Sequence, residues 1–289
     1  QIPEYELQNK GMTLAEFKVI YWWEWGHRQL GRFIGLVWAL GFVGLLVTRR
    51  MPQRWASRFL LLGVLGGLQG LIGWWMVSSG LGGEALDVAS YRLAIHLGLA
   101  FVILGILTSY ILRLSRTRRE LMQARRLREG RTRVMVTILL YLTFIQILIG
   151  ALVAGIDAGR TYIDWPLMAG GFFPPDPLAL DPIWRNFFED EGLVQWMHRY
   201  WGYLVLLVGL FTWWQGRGSP YGRTRRVFDW MTVLLFGQVV VGIVTVMSAA
   251  PWNIAIIHQG LAVILWTGIL YARFLTIYPV EGSVRDGTA

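Results

Sequence analysis

Long apolar runs, separated by shorter polar segments, recur along the chain. A helix that crosses a membrane needs about 20 mostly apolar residues. The runs that approach this length predict seven membrane-spanning helices, at residues 25–47, 58–79, 91–112, 134–155, 194–215, 229–249 and 253–275. The pattern therefore predicts an all-α integral membrane protein.

The polar segments alternate in charge, and this gives each predicted helix a direction. Arginines concentrate in the segments 48–58, 113–133 and 216–228, whereas acidic residues concentrate in 156–193. Arginine-rich loops of membrane proteins stay on the cytoplasmic side, so we expect residues 1–24 and the long segment 156–193 on the outer side. Membrane topology thus accounts for the formal net charge of +9 without any role for nucleic acid.

The chain has four histidines and no cysteine. The histidines lie near the starts of the four runs that enter from the outer face, at His27, His96, His198 and His258. Ionisable side chains are costly in lipid and usually functional, and imidazoles on two helices of a bundle can bind haem iron from both sides. A single histidine would more simply be a hydrogen-bonded interfacial residue, but four at matched positions favour haem. The lack of cysteine excludes thiolate ligands, iron–sulfur clusters and disulfides.

The second half of the chain repeats the first. The pattern His-Arg-x-x-Gly occurs at 27–31 and again at 198–202, and Ile-His-x-Gly-Leu-Ala occurs at 95–100 and at 257–262. The run 134–155 has no counterpart in the first half. We therefore expect an eighth helix before Gln1 in the intact protein, which would give two pseudo-symmetric four-helix bundles.

This repeat predicts four regions: a first-half bundle at 1–112 that lacks its leading helix, a cytoplasmic basic loop at 113–133, a second-half four-helix bundle at 134–275, and a cytoplasmic tail at 276–289. Glutamines recur inside the apolar runs, at Gln69, Gln146 and Gln238, and we expect them to hold helices together rather than to contact a ligand.

Charged residues flank the first histidine of each half. Arg28 and Arg199 directly follow a histidine, and arginine pairs with carboxylates such as haem propionates; snorkelling to headgroups is the alternative. Glu24 lies three residues before His27 and shares its helix face, whereas the equivalent position in the second half is Gln195. An acid at only one site indicates proton chemistry there and electron transfer at the other, although a solvated glutamate at a helix start remains open.

Residues 16–28 (EFKVIYWWEWGHR), followed by Leu30-Gly31-Arg32, resemble the second-helix signature of haem A synthases, especially of the alphaproteobacterial and mitochondrial branch. Three further stretches are similar to the family's later outer loop and sixth helix, at 165–168, 186–189 and 194–199. The resemblance covers nearly the whole chain. Two features depart from it: the family's first helix has no counterpart among the residues of this chain, and the cysteine pair of some branches is absent.

The resemblance implies eight helices in two halves and oxidation of the C8 methyl of haem O to a formyl group, which gives haem A. It implies that His27 and His96 flank the substrate haem in the first half. His198 and His258 would ligate the iron of a haem b cofactor in the second half, and Glu24 matches the family's essential acid. On this reading Arg28 and Arg199 belong to the haem-binding residues.

The same resemblance implies several partners. They are the lipid bilayer, haem O and haem A, the haem O synthase, and oxidase assembly factors. It leaves the electron donor and a homo-oligomer open. A bacterial inner membrane is favoured over a mitochondrial one because no transit segment is visible. Two competing functions remain: a di-haem b electron-transfer cytochrome without substrate turnover, and a haem carrier.

Overall fold

The computed structural model describes residues 11–79 and 88–280, and these residues are predominantly helical. The helices are α1 (Leu14–Val47), α2 (Ala56–Val77), α3 (Ser90–Leu114), α4 (Arg118–Arg126), α5 (Gly130–Gly155), α6 (Asn186–Glu189), α7 (Glu191–Arg217), α8 (Gly222–Met247) and α9 (Trp252–Ile277), with 3₁₀ turns at Ala158–Arg160 and Ile183–Arg185. Apart from one isolated bridge between Met168 and Gly171, the described part of the chain contains no β-structure. The all-α prediction is confirmed.

Within residues 11–79 and 88–280, six helices are long and apolar enough to cross a membrane, namely α1, α2, α3, α5, α8 and α9. The sequence predicted seven spans, and the seventh would be α7. That helix has 27 residues, so it is long enough, but its polar and aromatic residues lower its mean hydropathy. The structure thus gives six apolar spans, while the seventh span and the eight-helix total stay predictions.

The first helix begins earlier than its apolar run indicated. Thr13 accepts a hydrogen bond from the Glu16 amide, and the Glu16 carboxylate accepts one from the Thr13 amide, so that two unpaired helix-end groups are satisfied together. Helix α1 therefore starts at Leu14 and carries the segment 14–24 as about three extra turns. These turns place Glu24 inside the helix, one turn before Arg28.

The chain divides into two compact units, residues 1–103 and 104–289, with the boundary inside α3. In the first unit α1 and α2 meet where the indole of Trp38 lies over Gly63. The indole nitrogen donates to the carbonyl of Phe59 at 2.9 Å, and a Cβ atom on Gly63 would lie only 2.0 Å from the ring. The absence of a side chain at Gly63 is what permits this contact.

The second unit contains a four-helix bundle. Helix α5 packs against α7, α7 against α8, α8 against α9, and α9 back against α5. The bundle core is formed by Val136, Leu139, Val205, Phe228, Met231, Leu235, Leu265, Ile269 and Ala272. Glycines of α7 let large side chains of α8 come close. A Cβ on Gly209 would lie 2.2 Å from Leu235, and a Cβ on Gly216 would lie 2.3 Å from Phe228. The boundaries of the four regions that the repeat predicts remain predictions.

Candidate paired-histidine sites

The four histidines form two pairs, each within one unit. His27 on α1 and His96 on α3 have ring centres 6.5 Å apart, with an angle of 82° between the ring planes. His198 on α7 and His258 on α9 have ring centres 6.4 Å apart and an interplanar angle of 77°. The structure therefore brings together the same histidines that the repeat placed in one half.

The spacing of each pair suits one metal ion between two imidazoles. A metal–imidazole bond is about 2 Å long, and a ring nitrogen lies about 1.2 Å from the ring centre, so two opposed rings on one ion have centres about 6.4 Å apart. Both pairs match this separation. Within residues 11–79 and 88–280, no group of three or more His, Cys, Asp or Glu side chains could hold a metal ion. A porphyrin needs only two axial ligands from the protein, so the residues present fit a haem better than a bare ion.

Glycines on neighbouring helices leave room for three of the imidazoles. A Cβ on Gly73, Gly150 or Gly242 would lie 2.8, 2.9 or 2.9 Å from the ring carbon Cε1 of His96, His198 or His258, respectively. Nonbonded carbon atoms prefer about 3.5–4.0 Å, so only glycine leaves these rings where they are.

Glutamines one turn before these glycines contact the same histidines. The amide nitrogens of Gln69 and Gln146 each donate to the backbone carbonyl of their histidine at 3.0 Å. They also lie 3.3 and 3.2 Å from its Nδ1 atom. The amide nitrogen of Gln238 lies 3.3 Å from Nε2 of His258. The sequence suggested that these glutamines join helices, but it did not show that histidine is what they contact.

The acidic residue beside the first pair lies on an exposed surface of its unit. Arg28 donates to Glu24 at 3.1 Å, and the two side chains are 57% and 63% exposed. An exposed pair of this kind adds little stability, so both groups remain available to solvent and ligand.

The equivalent residues of the second half are bound to the long segment 156–193. Gln195 is 3% exposed and donates to the carbonyl of Tyr162 at 2.9 Å. The Arg199 guanidinium donates to the carbonyls of Tyr162 at 2.7 Å, Asp164 at 2.9 Å and Leu167 at 3.1 Å. Its Nε atom is buried without a hydrogen-bond partner in the described part of the chain. At equivalent positions, the first half thus has the exposed Glu24 and the second half has the buried Gln195.

Further contacts order the segment 156–193. Asn186 is fully buried, and its side chain accepts from the Leu180 amide at 2.9 Å and donates to the Leu180 carbonyl at 2.8 Å. Asp190 caps α7 by accepting from the Leu193 amide at 2.6 Å. These contacts hold the segment in a defined conformation against the start of α7. Sequence reasoning found none of them, because they join residues through loop conformation.

The helices define a multi-pass helical membrane protein that carries two pairs of facing histidines. The family of cytochrome oxidase assembly proteins that unites COX15 and CtaA matches residues 1–270, and the chain belongs to this family. It is 65% identical to the heme A synthase of Dinoroseobacter shibae over the whole chain and 75% of that protein. It is 62% identical to the heme A synthase of Jannaschia sp. over 98% of the chain and 74% of that protein. It is 53% identical to the heme A synthase of Cereibacter sphaeroides (strain ATCC 17025) over the whole chain and 76% of that protein.

Proposed function

We propose that the protein converts haem O to haem A by oxidising the C8 methyl group to a formyl group. The names of the relatives support a role in haem A biosynthesis and in cytochrome oxidase assembly. The observation that carries the proposal is the pair of nearly equal histidine geometries, with Glu24 three residues before His27 where the second half has Gln195 before His198.

In this proposal the second pair holds a resident haem b and the first pair holds the substrate. His198 and His258 would hold haem b, which would supply one-electron transfer when it is bound. His27 and His96 would bind the substrate haem on its two faces and fix the position of the methyl group. The protein's part is orientation and electrostatics around the reacting haem.

Glu24 is the proposed proton-handling residue of the substrate site. It lies one turn before Arg28, and its Oε2 atom accepts the Arg28 hydrogen bond while remaining open to solvent. A carboxylate can accept and return protons, whereas the amide of Gln195 cannot. This difference supports our proposal of proton chemistry at the first pair.

Arg28 and Arg199 are the proposed partners of haem carboxylates. Arg28 is exposed beside Glu24. Arg199 uses its terminal nitrogens on loop carbonyls, and its buried Nε atom supplies a spare donor. Guanidinium groups bind carboxylates strongly, so this unpartnered donor supports the role of Arg199 at a propionate.

Six apolar helices make this a multi-pass membrane protein. We place it in a bacterial inner membrane, with the histidine ends of α1, α3, α7 and α9 toward the outer face. This orientation follows from the arginine-rich segments.

A di-haem b cytochrome is the second candidate, because the two histidine pairs are almost alike in spacing and angle. Such a protein would bind the same haem twice and would leave haem O unchanged.

Pigment analysis tests the proposal. We would express the protein in membranes that contain haem O but no other haem A synthase, and then extract and separate the haems. Wild type should yield haem b and haem A. Glu24→Gln should retain haem b and lose haem A. Glu16→Gln, which changes another glutamate of the same helix, should behave as wild type.

Two results would contradict the proposal. Haem b alone, at two equivalents per chain, would identify the di-haem cytochrome. Wild-type haem A output from Glu24→Gln would remove the role of that carboxylate.

A further inference from the structure

Three of the four imidazoles lie in the same local environment, here termed a seat, which haem ligation alone does not require. In each case a neighbouring helix places a glutamine amide and a bare glycine, four residues apart, against the same ring. The three couples are Gln69–Gly73 at His96, Gln146–Gly150 at His198 and Gln238–Gly242 at His258. We propose that these Gln–Gly couples are positioning residues that set the rotation of the axial imidazoles. The inference rests on the proposed function in that it takes these histidines as haem ligands.

The glycine fixes where the ring edge can lie. In the His198 seat, a Cβ on Gly150 would be 2.9 Å from Cε1 and 3.4 Å from Nδ1. An added methyl group would therefore push the ring edge away from α5. A ring whose other side is bound to a metal can only respond by turning or by straining that bond.

The glutamine fixes the ring from its polar side. The Gln146 amide nitrogen is anchored by the His198 carbonyl at 3.0 Å and lies 3.2 Å from Nδ1 and 3.4 Å from Nε2 of the same residue. A Cβ on Gly202, one turn after His198, would come within 3.2 Å of this nitrogen, so Gly202 leaves space for the amide. The amide is thus tied to the backbone of the residue whose ring it touches.

A further sign is shared by all three seats. The amide oxygens of Gln69, Gln146 and Gln238 are buried and have no hydrogen-bond partner in the described part of the chain. Buried acceptors are normally satisfied. Hydrogen bonds to an imidazole that binds a metal fix its orientation and tune its basicity, and the nearest amide contact is at Nδ1 of His96 and His198 and at Nε2 of His258. Polar groups at these repeated places therefore suit ligand control better than simple helix adhesion.

The ring planes within the two histidine pairs are nearly perpendicular, at 82° and 77°, and the proposal is that the couples hold their rings at this rotation when haem is bound. Each imidazole π orbital acts on one of two iron d orbitals. Perpendicular planes act on both orbitals alike and leave them nearly equal in energy. A ferric low-spin haem of that kind gives an electron paramagnetic resonance signal with one very large g value, whereas parallel planes give three well-separated g values. The spectrum therefore reports ring rotation without any turnover.

The test uses the oxidised, purified full chain with its bound haem b. Gln146→Met removes the amide at similar length, and Gly150→Ala adds the methyl group. Both variants should retain haem b and shift the largest g value downward, toward the pattern of less perpendicular rings. Gln259→Met, an exposed glutamine beside His258, is the control for the first change. Gly268→Ala, whose Cβ would meet only Leu234 at 3.7 Å, is the control for the second. Both controls should keep the wild-type signal.

A wild-type spectrum from both seat variants would overturn the proposal. Loss of haem b from Gln146→Met, with haem retained in both controls, would also count against it, since the couple would then serve binding and not orientation. Haem b with the expected signal in a protein that forms no haem A would refute the proposed function only. A wild type without any bis-imidazole haem would refute both.

Discussion

Removing the Arg199 guanidinium should release the segment 156–193 from the start of α7. Arg199→Met keeps the length of the side chain but loses its donors to the carbonyls of Tyr162, Asp164 and Leu167. The Tyr162 carbonyl still receives the Gln195 amide. The loss therefore falls mainly on the other two carbonyls.

Hydrogen bonds from a charged donor contribute about 1.5–3 kcal/mol each. Two bonds at the lower value amount to about 3 kcal/mol, because Arg199 is only partly buried and water can replace some of the interaction. This free energy stabilises the closed segment in the wild type and is lost in Arg199→Met. The equilibrium population of the open segment should therefore rise about 150-fold.

Amide hydrogen exchange followed by mass spectrometry measures this opening. Met168 and Gly171 exchange hydrogen bonds of 2.7 and 3.0 Å within the segment, next to the anchored Leu167 carbonyl. Their amides should exchange up to about 150-fold faster in Arg199→Met, whereas the core of α5 should be unaffected. Arg199→Lys should give an intermediate increase, because it keeps the charge and loses the planar fork.

A matched control lies in the same segment. In the described part of the chain, the Arg160 side chain pairs with Asp157 at 3.7 Å, and both side chains are exposed, so Arg160→Gln should change exchange little. Exchange of the Met168 and Gly171 amides within about threefold of wild type in Arg199→Met would refute the anchoring role, since opening would then not depend on these bonds.

Two further predictions concern stability. Gly216→Ala should destabilise the second unit by about 1–3 kcal/mol, because its Cβ would overlap the fully buried ring of Phe228; urea unfolding in detergent should show this, and Gly268→Ala should not. Burial raises the pKa of the Glu129 carboxyl, partly offset by the Ser219 hydrogen bond of 3.0 Å. Its protonated form therefore favours the folded state, and that stability is lost as pH rises through the folded pKa. Glu129→Gln should raise the midpoint of thermal unfolding at neutral pH, with a gain that shrinks on acidification; an equal gain at both pH values would contradict the titration argument.

The sequence predicted the histidine pairing because the duplication itself carries that information. Two copies of one helical unit place equivalent residues at equivalent depths, and the structure brings His27 to His96 and His198 to His258. Helix positions were predicted well in the apolar centre of each run. They were less accurate at the ends, as at Leu14, where the capping box of Thr13 and Glu16 extends α1 beyond the apolar run.

The contacts around the histidines could not be predicted in the same way. The spacing of Gln146 and Gly150 shows that both share one face of α5, but not which side chain of α7 that face meets. Arg199 was expected at a propionate or a headgroup. Its contacts with loop carbonyls depend on the folded path of 156–193, which no periodicity encodes.

The contrast between the exposed Glu24–Arg28 pair and the tethered Arg199 bears on the lifetime of each complex. A product must depart after every reaction, whereas an electron carrier can remain for the life of the protein. The anchored segment beside His198 should slow the escape of its ligand, because release there requires several bonds to break together. Beside His27 the flanking charges already face solvent, so we expect rapid exchange at that site and slow exchange at the other.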